Sequence, residues 1–80
     1  MTNDEALQLM RSVLAKVAPE ADLGEVAAGE SLQEALDLDS FDFLTFVIGL
    51  AEGTGIEIPD RDFAKLATVE GCVAYLTSAH

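Results

Sequence analysis

Leu38-Asp39-Ser40-Phe41-Asp42-Phe43-Leu44-Thr45-Phe46-Val47-Ile48-Gly49-Leu50-Ala51-Glu52 is the stretch on which the fold turns. An aspartate ahead of a serine and an apolar run has the chemistry of a helix start, because an N-cap carboxylate accepts from backbone N–H groups that lack partners inside the helix. With Asp39 as the cap, the Ser40 hydroxyl stays unengaged at the positive end of the helix dipole, where an attached anion such as a phosphate is favoured. With Ser40 itself as the cap, the serine has a structural role only. Local chemistry leaves both readings open.

Helical spacing divides Ser40 to Glu52 into faces. The largest arc holds Phe43, Leu44, Val47, Leu50 and Ala51, with Phe46 at its margin, and is expected to face the core. Asp42, Thr45, Gly49 and Glu52 lie opposite. On the edge nearest Glu52 sit Phe41 and Ile48, one heptad apart and too apolar for solvent without a reason. They read either as partner-facing or as folded under the preceding loop into the core.

Downstream, Gly53-Thr54-Gly55 stops this helix, with Gly55 suited to the left-handed C-terminal position. Ile56 and Ile58 alternate with Glu57 but have no partner strand, so an extended loop burying both isoleucines is expected. Pro59-Asp60 opens a short helix through Phe63, Ala64 and Leu66, with Asp60 as its cap, and Thr68 caps the last helix. Val69, Cys72, Val73 and Leu76 form its inward stripe, and Tyr75 covers an edge with its hydroxyl in water.

Upstream, Thr2 and Glu5 have capping-box spacing ahead of a helical stripe of Leu7, Met10, Leu14 and Val17, widened by Ala6, Leu9 and Val13. Pro19 ends that helix, since it biases Ala18 out of the helical region. A long connection follows to Asp39, broken by Gly24 and Gly29. Ser31 and Glu34 repeat the capping-box spacing and predict a short helical turn from Ser31 to Leu36. The fold expected is all-α, a small four-helix bundle of three main helices and one short one, with a long loop between the first and second, as a single domain over residues 1–80.

Half of the 80 residues are hydrophobic, which argues for a folded unit rather than an acidic tail. The net charge of −11 is unevenly spread, for no Lys or Arg falls between Lys16 and Arg61. That anionic middle repels nucleic acid and anionic membrane and attracts basic protein surfaces. With one cysteine, no signal-like segment and no long apolar run, a monomer in a reducing cytoplasm is expected, without membrane insertion.

Catalytic chemistry finds little support. The single histidine, His80, is the last residue and is not expected to be held rigidly, and no G-x-S-x-G elbow surrounds Ser40. Cys72 lies on an inward stripe without a neighbouring base, as a buried structural thiol does. Asp37, Asp39 and Asp42 fail the calcium-loop pattern, because the third acid stands where the glycine belongs and Ile48 where the bidentate glutamate belongs. No metal site and no enzymatic activity are expected.

Taken in order, Leu38-Asp39-Ser40-Phe41-Asp42-Phe43-Leu44, then Gly55-Ile56-Glu57-Ile58-Pro59-Asp60, then Leu66-Ala67-Thr68-Val69 resemble the motifs of the acyl carrier protein family, and the resemblance spans nearly the whole chain. It implies that Ser40 is esterified by 4′-phosphopantetheine from coenzyme A, whose terminal thiol carries acyl groups as thioesters. It also implies loading by a separate phosphopantetheinyl transferase with Mg²⁺, with Asp39 contacting that enzyme or its metal. Carriers of this kind dock an acidic second helix on basic patches of acyl-loading and acyl-processing enzymes, in fatty-acid, polyketide or related pathways, which assigns partner contacts here to Phe41, Asp42, Thr45, Ile48 and Glu52. Two departures stand out: Phe41 replaces the usual leucine, and Asp37 stands where a glycine commonly precedes Leu-Asp-Ser. An aminoacyl or peptidyl carrier, or an acidic interaction module that carries nothing, are the competing readings.

Overall fold

The computed structural model describes residues 1–78, so His80, discounted above, lies outside the described residues. Helix α1 spans Asn3–Val17 and opens on the expected capping box, with Thr2 Oγ1 accepting from the Glu5 N–H at 3.1 Å and the Glu5 carboxylate accepting from the Thr2 N–H at 2.8 Å. The long connection is more ordered than the sequence indicates. It contains a 3₁₀ turn, Leu23–Glu25, where Asp22 accepts from the Gly24 N–H at 2.9 Å, and then helix α2, Leu32–Ala35, capped by Ser31. Helix α3 covers Ser40–Thr54, a 3₁₀ helix covers Asp60–Leu66, and helix α4 covers Val69–Ser78. The expected small bundle is present, its short helix is of the 3₁₀ type, and no strand occurs among the described residues.

Helix α1 packs against both α3 and α4. Met10 and Leu14 of α1, Phe46 and Leu50 of α3, and Cys72 and Leu76 of α4 meet in the centre, with Leu32 and Leu38 closing the core from the connection. The rings of Phe43 and Phe46 stand tilted with centroids 6.4 Å apart. Burial of this apolar surface is the main force holding so small a bundle together.

The connection is stitched to sequence far downstream. The Leu32 N–H donates to the Ala67 carbonyl at 2.8 Å and the Glu70 N–H to the Ala28 carbonyl at 3.0 Å, around a single antiparallel bridge between Ser31 and Thr68. Helix α2 ends on paired bonds, Leu38 N–H to the Gln33 carbonyl at 2.9 Å and Asp37 N–H to the Glu34 carbonyl at 3.4 Å, which is a Schellman motif. Its left-handed residue is Asp37, at φ 54°. This accounts for the preference for glycine there noted above, since glycine adopts that conformation without a Cβ penalty.

Four expectations are corrected. The buried arc of α3 is rotated: Phe46 is fully buried, Leu44 is 40% exposed and Ala51 is half-buried. Gly49, placed on the solvent side by sequence, faces α1, where an added Cβ would lie 2.5 Å from Val13 Cγ1. The 3₁₀ helix is entered through Pro59 with no side-chain cap, so Asp60 is a first-turn residue and not its cap. The Tyr75 hydroxyl does not stand in water but donates to Asp62 Oδ2 at 2.8 Å. Gly55, at φ 73°, does occupy the left-handed position, and Thr68 does cap α4, accepting from the Gly71 N–H at 3.0 Å.

Candidate functional site

The start of α3 resolves which residue is the cap. Asp39 Oδ1 accepts from the Asp42 N–H at 2.7 Å, and the Asp39 carbonyl accepts from the Phe43 N–H at 3.0 Å. Ser40 is the first helical residue and is exposed, and among the described residues no hydrogen bond engages its hydroxyl. The N–H groups of Ser40 and Phe41, unpaired by the helix itself, point out of the same end. An exposed hydroxyl beside outward N–H groups at a positive helix end suits a covalently attached phosphodiester.

Ser40 also stands on the rim of an open cleft of about 450 Å³ lined by Gln33, Phe43, Leu44, Phe63, Ala64 and Ala67. One wall belongs to α3 and the other to the 3₁₀ helix. Its lining is apolar apart from the rim residues Gln33 and Ser40. A separate groove of about 430 Å³ runs between α1 and α3, with Thr45, Ile48 and Glu52 on one side and Leu9 and Lys16 on the other.

Phe41 is 74% exposed and Ile48 is 48% exposed, so neither folds into the core. Thr45 and Glu52 are exposed and Asp42 is half-buried. The Thr45 hydroxyl donates back to the Phe41 carbonyl at 3.0 Å, leaving its methyl on the helix surface. Phe41, Leu44, Thr45, Ile48 and Glu52 therefore share one stripe, with Asp42 beside it. Leu44 is the member that sequence reasoning missed, and its spacing of three after Phe41 and four before Ile48 was the available signal.

Elsewhere reactivity is suppressed. The Cys72 thiol is buried, donates to the Leu66 carbonyl at 3.2 Å, and is pushed by burial up to about 12. It is protonated, and therefore inert, near neutrality. Asp62 is held below the usual carboxylate range, first by the Tyr75 hydroxyl and then by Lys65, whose Nζ lies 3.3 Å from Asp62 Oδ1. Among the described residues no group of three His, Cys, Asp or Glu side chains could hold a metal ion, and no helix is long and apolar enough to cross a membrane.

Fold and site together define a class: a small acidic helical module that offers an uncommitted serine at a helix start, beside an apolar cleft. Comparison with known proteins gives the family. Residues 7–76 match the family model described as the phosphopantetheine attachment site. The chain is 36% identical over 76 residues to the acyl carrier protein of Rubrobacter xylanophilus, covering 95% of this chain and 93% of that one. It is 33% identical over 81 residues to the acyl carrier protein of Renibacterium salmoninarum, covering 98% and 95%. The chain belongs to the acyl carrier protein family. It is accordingly a carrier and not an enzyme, with covalently bound 4′-phosphopantetheine as cofactor and with a phosphopantetheinyl transferase and acyl-processing enzymes as partners.

Proposed function

We propose that this chain is a single-domain, monomeric cytoplasmic acyl carrier whose Ser40 Oγ is the phosphopantetheine attachment atom. The observation that carries this reading is the division of labour at the start of α3: Asp39 caps the helix, so the exposed Ser40 hydroxyl is left for chemistry. In loading, Ser40 Oγ would form a bond to the phosphorus bearing the pantetheine arm, the pyrophosphate linkage of coenzyme A would break with adenosine 3′,5′-bisphosphate as the leaving group, and the hydroxyl proton would pass to the transferase. Asp39, whose Oδ1 serves the cap, would contact the transferase or its Mg²⁺. The attached group supplies a terminal thiol, which holds the acyl cargo as a thioester for delivery in fatty-acid, polyketide or related synthesis.

The chain's own contribution is recognition and presentation. Phe41, Leu44 and Ile48 give an apolar contact stripe, flanked by Thr45, and Asp42 and Glu52 add charge to it. The long anionic middle steers basic docking patches towards the same end of the molecule. The test is intact mass after incubation with coenzyme A, Mg²⁺ and a promiscuous phosphopantetheinyl transferase. Wild type should gain one phosphopantetheine and the Ser40→Ala variant none. An unmodified wild type, or a modified Ser40→Ala, sinks the assignment.

A further inference from the structure

The cleft beside Ser40 has walls of unequal firmness. The α3 wall is part of a long helix seated in the core, whereas the opposite wall is a 3₁₀ helix, a form that is marginal without tertiary support. That 3₁₀ helix packs chiefly on α4. Its C-terminal end is well fixed, because Leu66 is fully buried, its carbonyl accepts from the Cys72 thiol, and Gly71 lets α4 approach the Lys65 carbonyl too closely for any side chain. Its N-terminal end has no side-chain cap. Between these ends, the one side-chain hydrogen bond that ties it to α4 among the described residues joins Asp62 to Tyr75. Asp62 bonds to α4 while its neighbours Phe63 and Ala64 line the cleft, so the bond and the cleft wall belong to one short segment.

We propose that Tyr75 and Asp62 are positioning residues, whose hydrogen bond holds the Phe63–Ala64 wall against α3 and so shields an apolar group tethered at Ser40 from water. The inference rests on Ser40 being the attachment point and adds the means by which the neighbouring cleft keeps its shape. Lys65 pairs with Asp62 within the same 3₁₀ segment and Cys72 holds only its last residue, so neither ties Asp62 to α4. Losing one hydrogen bond of this kind shifts a local opening equilibrium by roughly 2- to 12-fold. The hydrolysis of a thioester that the cleft shields should rise by that factor.

The test loads the full chain at Ser40 from octanoyl-coenzyme A or acetyl-coenzyme A with a promiscuous transferase and follows thioester hydrolysis by intact mass. Wild type is compared with Tyr75→Phe, Asp62→Asn and Val13→Ala, the last weakening the α1–α3 contact away from the cleft. Tyr75→Phe and Asp62→Asn should lose octanoate roughly 2- to 12-fold faster than wild type. The Val13→Ala octanoyl form and every acetyl form should hydrolyse as the wild-type forms do. Equal octanoyl rates in Tyr75→Phe and wild type overturn the inference, as does equal acceleration in Val13→Ala, which would mark a global loss of stability. The chain has one tyrosine and no tryptophan, so near-ultraviolet titration of the phenol reports this bond directly, and identical curves for wild type and Asp62→Asn would also overturn it. A wild type that accepts no phosphopantetheine at all overturns the attachment assignment instead.

Discussion

Replacing Gly49 by alanine tests the closest approach in the fold. An alanine Cβ there would stand 2.5 Å from Val13 Cγ1 and 3.2 Å from Val13 Cγ2, against about 3.5–4.0 Å for a comfortable carbon contact. Val13 is nearly buried and β-branched, so it has little rotameric freedom and α1 itself must shift. Overpacking of this kind costs about 1–3 kcal/mol. Alanine returns about 0.8–1.0 kcal/mol in helix propensity, which leaves a net loss of up to about 2 kcal/mol. In a Val13→Ala background the obstacle is gone, and the same Gly49→Ala change should stabilise by about 0.8–1.0 kcal/mol. Gly53 gives the contrast: its added Cβ meets only the tip of Leu9, at 2.6 Å from Cδ1, and that flexible side chain can move aside. Gly53→Ala should therefore be neutral or stabilising. Urea unfolding followed by circular dichroism, with the slope unchanged, measures all of these. An effect of Gly49→Ala that is the same in both backgrounds would refute the packing argument.

Other outcomes follow from exposure and burial. Phe41→Ala should change stability by no more than about 0.5 kcal/mol, and Ile48→Ala by little more, whereas truncating the buried Phe46 costs about 3–5 kcal/mol. Both exposed substitutions should nevertheless slow turnover by the enzyme that accepts the acyl group, as read in a coupled transfer assay. Cys72 should resist iodoacetamide in the folded protein and react once unfolded. Its thiol is raised to about 12 in the fold, against about 8.5 when unfolded, so its contribution is fully present below the unfolded value and declines as pH rises from there towards the folded value. Unfolding curves at neutral and alkaline pH should show a steeper alkaline loss in wild type than in Cys72→Ala.

Features set by neighbours in sequence were legible. The Thr2–Glu5 box, the Thr68 cap and the Gly55 terminus each depend on atoms within a few residues, and all are present. Features set by distant contacts were not. Helix α3 is apolar around most of its circumference, so periodicity alone could not choose between Leu44 and Phe46 for the core, and the position of α1 decided it. Gly49 was assigned to solvent from its helical position opposite the apolar arc, yet its lack of a side chain is what admits Val13. The Tyr75–Asp62 bond spans 13 residues, and no local pattern encodes it. Asp22 ahead of Gly24 was a readable turn signal for the first 3₁₀ segment. At the site, local chemistry offered both Asp39 and Ser40 as the cap and the structure decides for Asp39, while the cleft at its side depends on the 3₁₀ helix and could not be seen in one dimension.

The stitching of the long connection has a consequence for the timing of synthesis. The partners of Ala28 and Leu32 are Glu70 and Ala67, and Leu32 and Leu38 hold the approach to Ser40 in the core. A nascent chain that has not yet reached those residues lacks the bonds that fix this approach, even though every residue of α3 has been made. Chains emerge at about 5–20 residues per second, so the delay between exposure of the serine and completion of its surroundings is on the order of seconds. A transferase that required the folded helix start would therefore meet it only once the chain was nearly complete.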